Sequence, residues 1–167
     1  MPRERPERLA WMMGLATVVS MRSEDPYVQV GALAIRDDWS IAGIGYNGLP
    51  SGVDMPDEWW AQRDQRRPFM IHAEINALRY CRAGEVKRIV TTHIPCSSCM
   101  PVLGSYHVDE VYYGSLLGEA HDTEAIVQIA SLNRIWLHQL GLETINDVPP
   151  DPSPPSADGD GKVMRWG

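Results

Sequence analysis

The chain has 167 residues, 44% of them hydrophobic and 22% charged, which is the size and composition of one ordinary globular domain. Its formal net charge of −7 argues against nucleic acid as a partner, because affinity for a phosphate backbone comes mainly from lysine and arginine. No apolar run reaches the ~18 residues that cross a bilayer, so we expect no membrane span and a cytoplasmic location.

The first half of the chain predicts a helix followed by a pair of strands. Leu9, Met12, Met13 and Ala16 recur at intervals of three and four residues, which places them on one helical face. Two apolar, β-branched runs then flank a short polar turn, the pattern of a hairpin. The predicted elements are helix 7–22, strands 28–35 and 40–47, a loop at 48–56 and a short exposed helix at 57–67.

In the second half, apolar runs of strand length alternate with helical patterns. This alternation predicts parallel strands with helices packed on the sheet. The predicted elements are helix 72–83, strand 87–94, a short helix at 97–105, strand 109–114, helix 122–140 and a short final strand at 142–145. We expect Asp122 to cap the last helix and Gly141 to end it.

The composition changes abruptly after Asp147, where proline, aspartate and glycine become too dense for helix or sheet. Such a segment cannot bury enough apolar surface to offset the entropy lost on ordering. We therefore expect one catalytic domain at 1–147 and a flexible C-terminal tail at 148–167.

Four residues carry the strongest chemical signal: His72, Glu74, Cys96 and Cys99. One imidazole and two thiolates give zinc three protein ligands and leave its fourth tetrahedral position to water, as in catalytic sites. The two cysteines are expected to share a face of one helical turn, where the helix N-terminus favours thiolates. Glu74 lies about 200° around a helix from His72, so we expect it beside the metal as a proton carrier.

Other interpretations of the cysteines stay open at this point. A CxxC pair also occurs in redox sites and in structural zinc half-sites, and three cysteines fit a reducing compartment better than a disulfide framework. A closed zinc site would need a fourth ligand. Cys81 lies ~13 Å from His72 along one helix, so we expect it to be an inert buried thiol.

With these residues in place, the chain resembles the zinc-dependent cytidine and deoxycytidylate (dCMP) deaminases. The motif H-x-E…P-C-x-x-C marks the whole zinc deaminase superfamily. In this chain it is formed by HAEINA (72–77) and PCSSC (95–99). Two further motifs, RSEDPYVQVGA (22–32) and GYNGLPSG (45–52), are similar to those of the nucleotide deaminases.

The resemblance implies an α/β fold of three layers, α/β/α, with a mixed five-stranded sheet flanked by helices, as in cytidine deaminases. It further implies one Zn²⁺ per subunit and conversion of dCMP to dUMP by attack of a zinc-activated hydroxide on C4. Glu74 would protonate N3 and then the departing ammonia, and the Ala73 amide would hold the base. By the same resemblance, many relatives form homo-oligomers, up to hexamers, that are regulated by dCTP and dTTP.

The substrate contacts are less specific. By resemblance, Asn47 would bind the sugar hydroxyl, although an asparagine before Gly48 is also a common turn residue. The loop that begins at Gly48 would lie near a phosphate of the substrate or of an effector. Arg22 and Ser23 are further phosphate candidates, but Arg22 is equally typical of an exposed helix end.

Three further residues are assigned no catalytic role. His93, two residues before Pro95, is expected to pack in the core. Trp59 and Trp60 are expected at a subunit interface, or else in a lid over the pocket. Residues 52–60 contain no cysteine, although some relatives build a second zinc site in this loop, so we expect one metal per chain.

The alternatives differ in substrate or in class. Cytidine, dCTP or a 5-substituted dCMP are competing substrates, since pocket shape rather than the metal selects among them. A tRNA adenosine deaminase shares the metal motif but needs a basic surface, which this acidic chain lacks. A non-catalytic zinc-stabilised interaction module would not need a carboxyl group, such as that of Glu74, beside the metal without binding it.

Overall fold

The structure is a computed structural model that describes residues 4–115 and 120–141, without the side chains of 120–122. The helices are α1 (Arg8–Ser20), α2 (Asp57–Trp60), α3 (Arg63–Arg66), a 3₁₀ turn (Arg67–Phe69), α4 (Ala73–Leu78), α5 (Cys99–Ser105) and α6 (Ala120–Leu132). The strands are β1 (Gly31–Ile35), β2 (Ile41–Tyr46), β3 (Arg88–His93), β4 (Glu110–Ser115) and β5 (Trp136–Gln139). In the part of the chain described, no helix combines the length and the hydropathy needed to cross a membrane.

The strands form one mixed sheet in the order β2-β1-β3-β4-β5. β1 is antiparallel to both β2 and β3, whereas β3, β4 and β5 run parallel. Helices α5 and α6 connect the parallel strands, as such crossovers require. The predicted five-stranded mixed sheet flanked by helices is confirmed.

Helices cover both faces of the sheet, giving three layers. On one face, α1 packs against β1, β3 and β4 through a single apolar cluster: Leu9, Met12, Met13, Ala16, Leu33, Ile35, Val90 and Tyr112. The other face packs against α4, α5 and α6 through Ala32, Ala34 and their neighbours. Successive residues of β1 thus enter opposite cores, which explains why its sequence is continuously apolar.

Several segments that connect the strands lie together at one end of the sheet. Gly31, which begins β1, pairs with Tyr46, which ends β2. Ala32 pairs with Thr91 near the end of β3. At this end of the sheet, the residues that follow β2 and β3 therefore lie close to those that precede β1.

The prediction of one helix over 122–140 is wrong. The backbone is helical from Ala120 to Leu132, and Arg134 then adopts a left-handed φ of 58°. Residues 136–139 form β5, in which Leu137 pairs with Val111 of β4. The sheet's fifth strand therefore precedes Gly141, while the predicted strand at 142–145 and the predicted tail at 148–167 lie outside the described residues.

Two other predicted helices differ from the structure. Helix 72–83 is shorter, since α4 ends at Leu78 and the exposed Arg79 and Tyr80 form a turn. The single exposed helix predicted at 57–67 is instead two one-turn helices followed by a 3₁₀ turn, and it contains a buried residue, Arg66.

Glycine in β2 lets α4 lie directly against the sheet. A Cβ on Gly45 would stand 2.3 Å from the carbonyl oxygen of Ala73 and 2.3 Å from the amide nitrogen of Ala77. Both atoms belong to the α4 backbone, so no side chain can rotate away to relieve the clash. Gly45 thus sets the height of α4 above the sheet, and α4 carries Glu74.

We expect Gly45→Ala to destabilise the fold by about 1–3 kcal/mol, the usual cost of overpacking a core. At this chain length the loss corresponds to a fall in Tm of roughly 3–10 °C, measurable by calorimetry. Gly14→Ala is the matched control, because a Cβ at Gly14 of α1 meets nothing within 4 Å and alanine favours helix. An unchanged Tm for Gly45→Ala would contradict the close packing of α4.

Candidate active site

His72, Cys96 and Cys99 come together at the end of the sheet where β3 ends. One ligand atom from each lies within 4.8 Å of the others. The Nδ1 atom of His72 is 3.3 Å from Cys96 Sγ and 3.2 Å from Cys99 Sγ, and the two sulfurs are 3.6 Å apart. These three side chains are compatible with one metal ion.

The spacing of these donors fits a tetrahedral zinc ion. Bond lengths of about 2.3 Å to sulfur and 2.0 Å to nitrogen imply S···S and N···S edges of about 3.8 and 3.5 Å. The observed edges are slightly shorter, so a small outward movement of the side chains is enough to admit the ion. Within the described residues, no fourth histidine, cysteine or acid joins the group, which leaves one tetrahedral corner open.

The backbone holds His72 in place before helix α4 begins. His72 is the N-cap, with extended backbone angles (φ −74°, ψ 153°), and its carbonyl accepts a hydrogen bond from the Asn76 amide. The preceding Ile71 forms an isolated bridge with Gly48, with hydrogen bonds of 2.8 and 3.1 Å. Asn76 Nδ2 donates to the Tyr46 carbonyl, which ties α4 to the end of β2.

The cysteines lie on a tight turn between β3 and α5. The Cys96 carbonyl accepts hydrogen bonds from the amides of Cys99 and Met100. α5 begins only at Cys99, so Cys96 lies in the turn before the helix rather than in the predicted shared helical turn. The turn still brings both sulfurs to the same side.

The two thiols are electrostatically coupled. A hydrogen bond from Cys99, together with the facing His72 imidazole, lowers the pKa of Cys96 to about 3 against the opposing effect of burial. The same contact with Cys96, and burial, raise the pKa of the Cys99 thiol. A bound divalent cation would favour the thiolate form of both sulfurs.

Glu74 lies beside the donor set without belonging to it. Its carboxyl group is buried, with 3% of the residue exposed, and Oε2 is 3.7 Å from Cys99 Sγ. Burial raises the pKa of Glu74 to about 6, against the attraction of the nearby His72. A carboxyl group with this environment can both accept and release a proton near neutral pH.

Cys81 is not part of the metal-compatible group. It is half-buried rather than fully buried, and its Sγ faces the Ala77 carbonyl at 3.6 Å. Desolvation raises the pKa of this thiol, which keeps it protonated at neutral pH. Its place outside the group agrees with the distance expected from the spacing, whereas the expected full burial is not observed.

A pocket of about 190 Å³ opens onto the candidate metal site. An engineered apolar cavity of about 150 Å³ in another protein holds benzene, so this volume is sufficient for a pyrimidine ring. The residues that line it are Asp25, Val28, Val30, Asn47, Arg63, Arg66, Arg67, Met70, His72, Ala73, Glu74, His93, Ile94 and Cys96.

The predicted substrate residues are only partly brought together. Asn47 and Ala73 line the pocket, and Asn47 also holds the strand before β1, because its Oδ1 accepts from the Val30 amide and its Nδ2 donates to the Val28 carbonyl. Gly48 is buried and bridges to Ile71, without lining the pocket. Arg22 and Ser23 do not line it either, and Arg22 is exposed.

Two pocket residues were not expected there. His93 lines the pocket as a half-buried side chain whose pKa is lowered by desolvation, and it does not simply pack in the core. Arg66 was predicted on an exposed helix but is 7% exposed. Trp59 and Trp60, both half-buried, do not line the pocket, and Trp59 packs against Phe69 at a ring distance of 5.7 Å.

The chain is similar to known deaminases. A family model described as the cytidine and deoxycytidylate deaminase zinc-binding region matches residues 6–115. Human deoxycytidylate deaminase is 30% identical, over 88% of this chain and 85% of its own length. A probable deoxycytidylate deaminase of Caenorhabditis elegans is 35% identical, over 59% of this chain, which spans about half of that relative's length (53%).

The fold is shared with a solved structure. The dCMP deaminase of cyanophage S-TIM5, solved in complex with dCMP and dUMP, superposes with a TM-score of 0.63 at 23% identity. The match covers 84% of this chain and all of the phage chain. At this identity the likeness concerns the fold.

Proposed function

The chain belongs to the cytidine and deoxycytidylate deaminases, and we propose that it hydrolyses dCMP to dUMP and ammonia with one zinc ion. The observation that carries this proposal is the buried Glu74 carboxyl group beside a three-donor site with an open corner, in a pocket of pyrimidine size. Support for dCMP comes from the deoxycytidylate deaminases among the relatives. In the reaction the C4–N4 bond breaks and a C4–O bond forms, so oxidation state is unchanged.

The ligands in this proposal are His72, Cys96 and Cys99, and Glu74 is the proton carrier. When bound, zinc supplies Lewis acidity that activates a water molecule for attack at C4. Hydrolysis releases two protons from the attacking water, and Glu74 would carry the first to N3 and the second to the C4 amino nitrogen, which leaves as ammonia. With 3% of the residue exposed, Glu74 is shielded from bulk solvent but faces the pocket in which the base would lie.

Two further pocket residues would orient the substrate. The Ala73 amide has no intrahelical partner, since Ala73 is the first residue of α4, and it can donate a hydrogen bond to the base. A carboxamide can accept two hydrogen bonds and donate two. Asn47 therefore keeps one acceptor and one donor position for a sugar hydroxyl after holding residues 28–30.

The other elements of the proposal concern the assembly and its surroundings. The proposal of one zinc per chain is supported by the cysteine content, since residues 52–60 hold no cysteine for a second site. A homo-oligomer is supported by exposed apolar side chains along α1 and its end: Trp11, Val18 and Met21 are 48, 64 and 78% exposed. We further propose dCTP and dTTP as effectors, and a cytoplasmic location, where thiolate ligands stay reduced.

A substrate panel tests the function. We expect the zinc-loaded protein to release ammonia from dCMP with a kcat/KM at least about tenfold above that for cytidine, CMP, dCTP or 5-methyl-dCMP. Ammonia is followed with and without added dCTP, and product is identified by chromatography. Faster turnover of another member of the panel would reassign the substrate, and ammonia release from none of them would refute the proposed activity.

A further inference from the structure

A buried arginine lines the pocket that contains Glu74. Arg66 ends α3 and is 7% exposed, although arginine is rarely buried unless it is paired. Arg63 and Arg67, both exposed, line the same pocket. Three guanidinium groups within five residues thus face one cavity of a chain whose net charge is −7.

Arg66 is held from three sides but keeps unused donors. Its Nε donates to Asp25 Oδ2 at 3.2 Å, and its Nη1 donates to the Trp60 carbonyl at 3.2 Å. The guanidinium carbon lies 4.8 Å above the centre of the Tyr27 ring. No hydrogen bond is made by Nη2 within the described residues, and a guanidinium group has five N–H donors.

Asp25 is itself fixed, so it orients Arg66. It is 4% exposed, and its Oδ1 accepts from the amides of Tyr27 and Val28 at 2.9 and 3.1 Å. The other oxygen is left for Arg66. A carboxylate that is locked by backbone amides aims the guanidinium in a single direction.

Stability alone does not explain this ion pair. Replacing a buried ion pair by apolar residues of similar volume is often neutral or stabilising. In the wall of a pocket, however, a partly satisfied guanidinium provides parallel donors that match an anion's oxygens. In the part of the chain described, Arg63 and Arg67 form no salt bridge, so they add positive charge near the pocket without neutralisation.

We propose that Arg66 binds the 5′-phosphate of the substrate and that Asp25 is its positioning residue, so that the pocket selects a nucleoside monophosphate over a nucleoside. Arg63 and Arg67 attract the phosphate electrostatically at the surface. This inference rests on the proposed function, since it assigns the phosphate end of the same substrate. Arg22 and Ser23, the candidates suggested by the sequence, do not line the pocket.

Comparing dCMP with deoxycytidine tests the inference, with no nucleoside triphosphate present. We expect Arg66→Gln to lower kcat/KM for dCMP by about 10- to 100-fold, the range for hydrogen bonds to a charged group. Turnover of deoxycytidine, which has no phosphate, should stay within about threefold. Arg79→Gln is the matched control, because Arg79 is exposed on the turn after α4 and does not line the pocket.

A second variant controls for the possibility that Arg66→Gln loses activity through loss of the fold. Arg66→Gln leaves Asp25 buried without its cation, a change that can itself destabilise a protein. The double variant Arg66→Met/Asp25→Asn removes both charges, and asparagine keeps an Oδ1 acceptor for the amides of Tyr27 and Val28. Provided that its circular dichroism and Tm match wild type, it should show the same selective loss for dCMP.

A binding experiment tests the phosphate site independently of the proposed deaminase activity. Calorimetric titration of the zinc-loaded protein should show tighter binding of dUMP than of deoxyuridine, and the double variant should lose this preference. If the wild type releases no ammonia yet prefers dUMP through Arg66, the activity fails and the phosphate site stands. Equal losses of turnover for dCMP and deoxycytidine, or no preference of the wild type for dUMP over deoxyuridine, would overturn the inference.

Discussion

Cys96→Ala is expected to abolish both zinc binding and deamination. The variant leaves one nitrogen and one sulfur, and two protein ligands do not form a zinc site of the three-ligand type. We expect the zinc content of purified protein, measured by atomic absorption, to fall from about one per chain to below about one tenth. Deamination of dCMP should fall to the background rate, because zinc is needed to activate water.

Cys81→Ala provides the matched control for this substitution. It makes the same chemical change, cysteine to alanine, at a position outside the metal-compatible group. The control should therefore keep full zinc content and activity. Normal zinc content in Cys96→Ala, or zinc loss in Cys81→Ala, would contradict the proposed ligand set.

The grouping of His72, Cys96 and Cys99 was predictable because much of its signal is local in sequence. Cys96 and Cys99 are three residues apart, so any tight turn brings their sulfurs together. His72 and Glu74 flank the start of one helix, which fixes their relation to each other. The sequence could not show that Cys96 precedes α5, because a turn and a first helical turn place the two sulfurs similarly.

The fold was predictable where the apolar pattern has one interpretation. A run buried on both faces identified β1, and the alternation of strands and helices identified the parallel pairs. The prediction of a helix beyond Leu132 failed because the position of Leu137, seven residues after Ala130, fits a helix as well as a strand. The left-handed Arg134 breaks the helix, and nothing in an arginine side chain indicates such a conformation.

Arg66 and His93 show why pocket walls are harder to predict than ligands. Arg66 pairs with Asp25 across 41 residues of chain, and a long-range pair leaves no pattern in either segment. An arginine in a polar stretch is typical of an exposed surface. His93 ends β3, where a side chain can enter either the core or the pocket, and only the arrangement of the neighbouring strands decides which.

Glu74→Gln is expected to lower kcat for dCMP by about 10³- to 10⁴-fold, near the upper end of what general acid-base catalysis contributes. Glutamine has the size of glutamate but cannot carry a proton between water, N3 and the leaving ammonia. Because Glu74 is not among the three metal-compatible donors, zinc content should stay at wild-type level. Single-turnover kinetics with product detection measures the residual rate, and atomic absorption measures the metal.

The same experiment distinguishes an enzyme from a protein that binds zinc only for stability. Glu124→Gln is the control, since Glu124 is exposed on α6, distant in sequence from the site, and its loss should leave kcat unchanged. KM for dCMP in Glu74→Gln should change much less than kcat, because the pocket walls and Arg66 are intact. Wild-type turnover by Glu74→Gln would refute proton transfer by this carboxyl group, and loss of zinc would mean that Glu74 supports the metal instead.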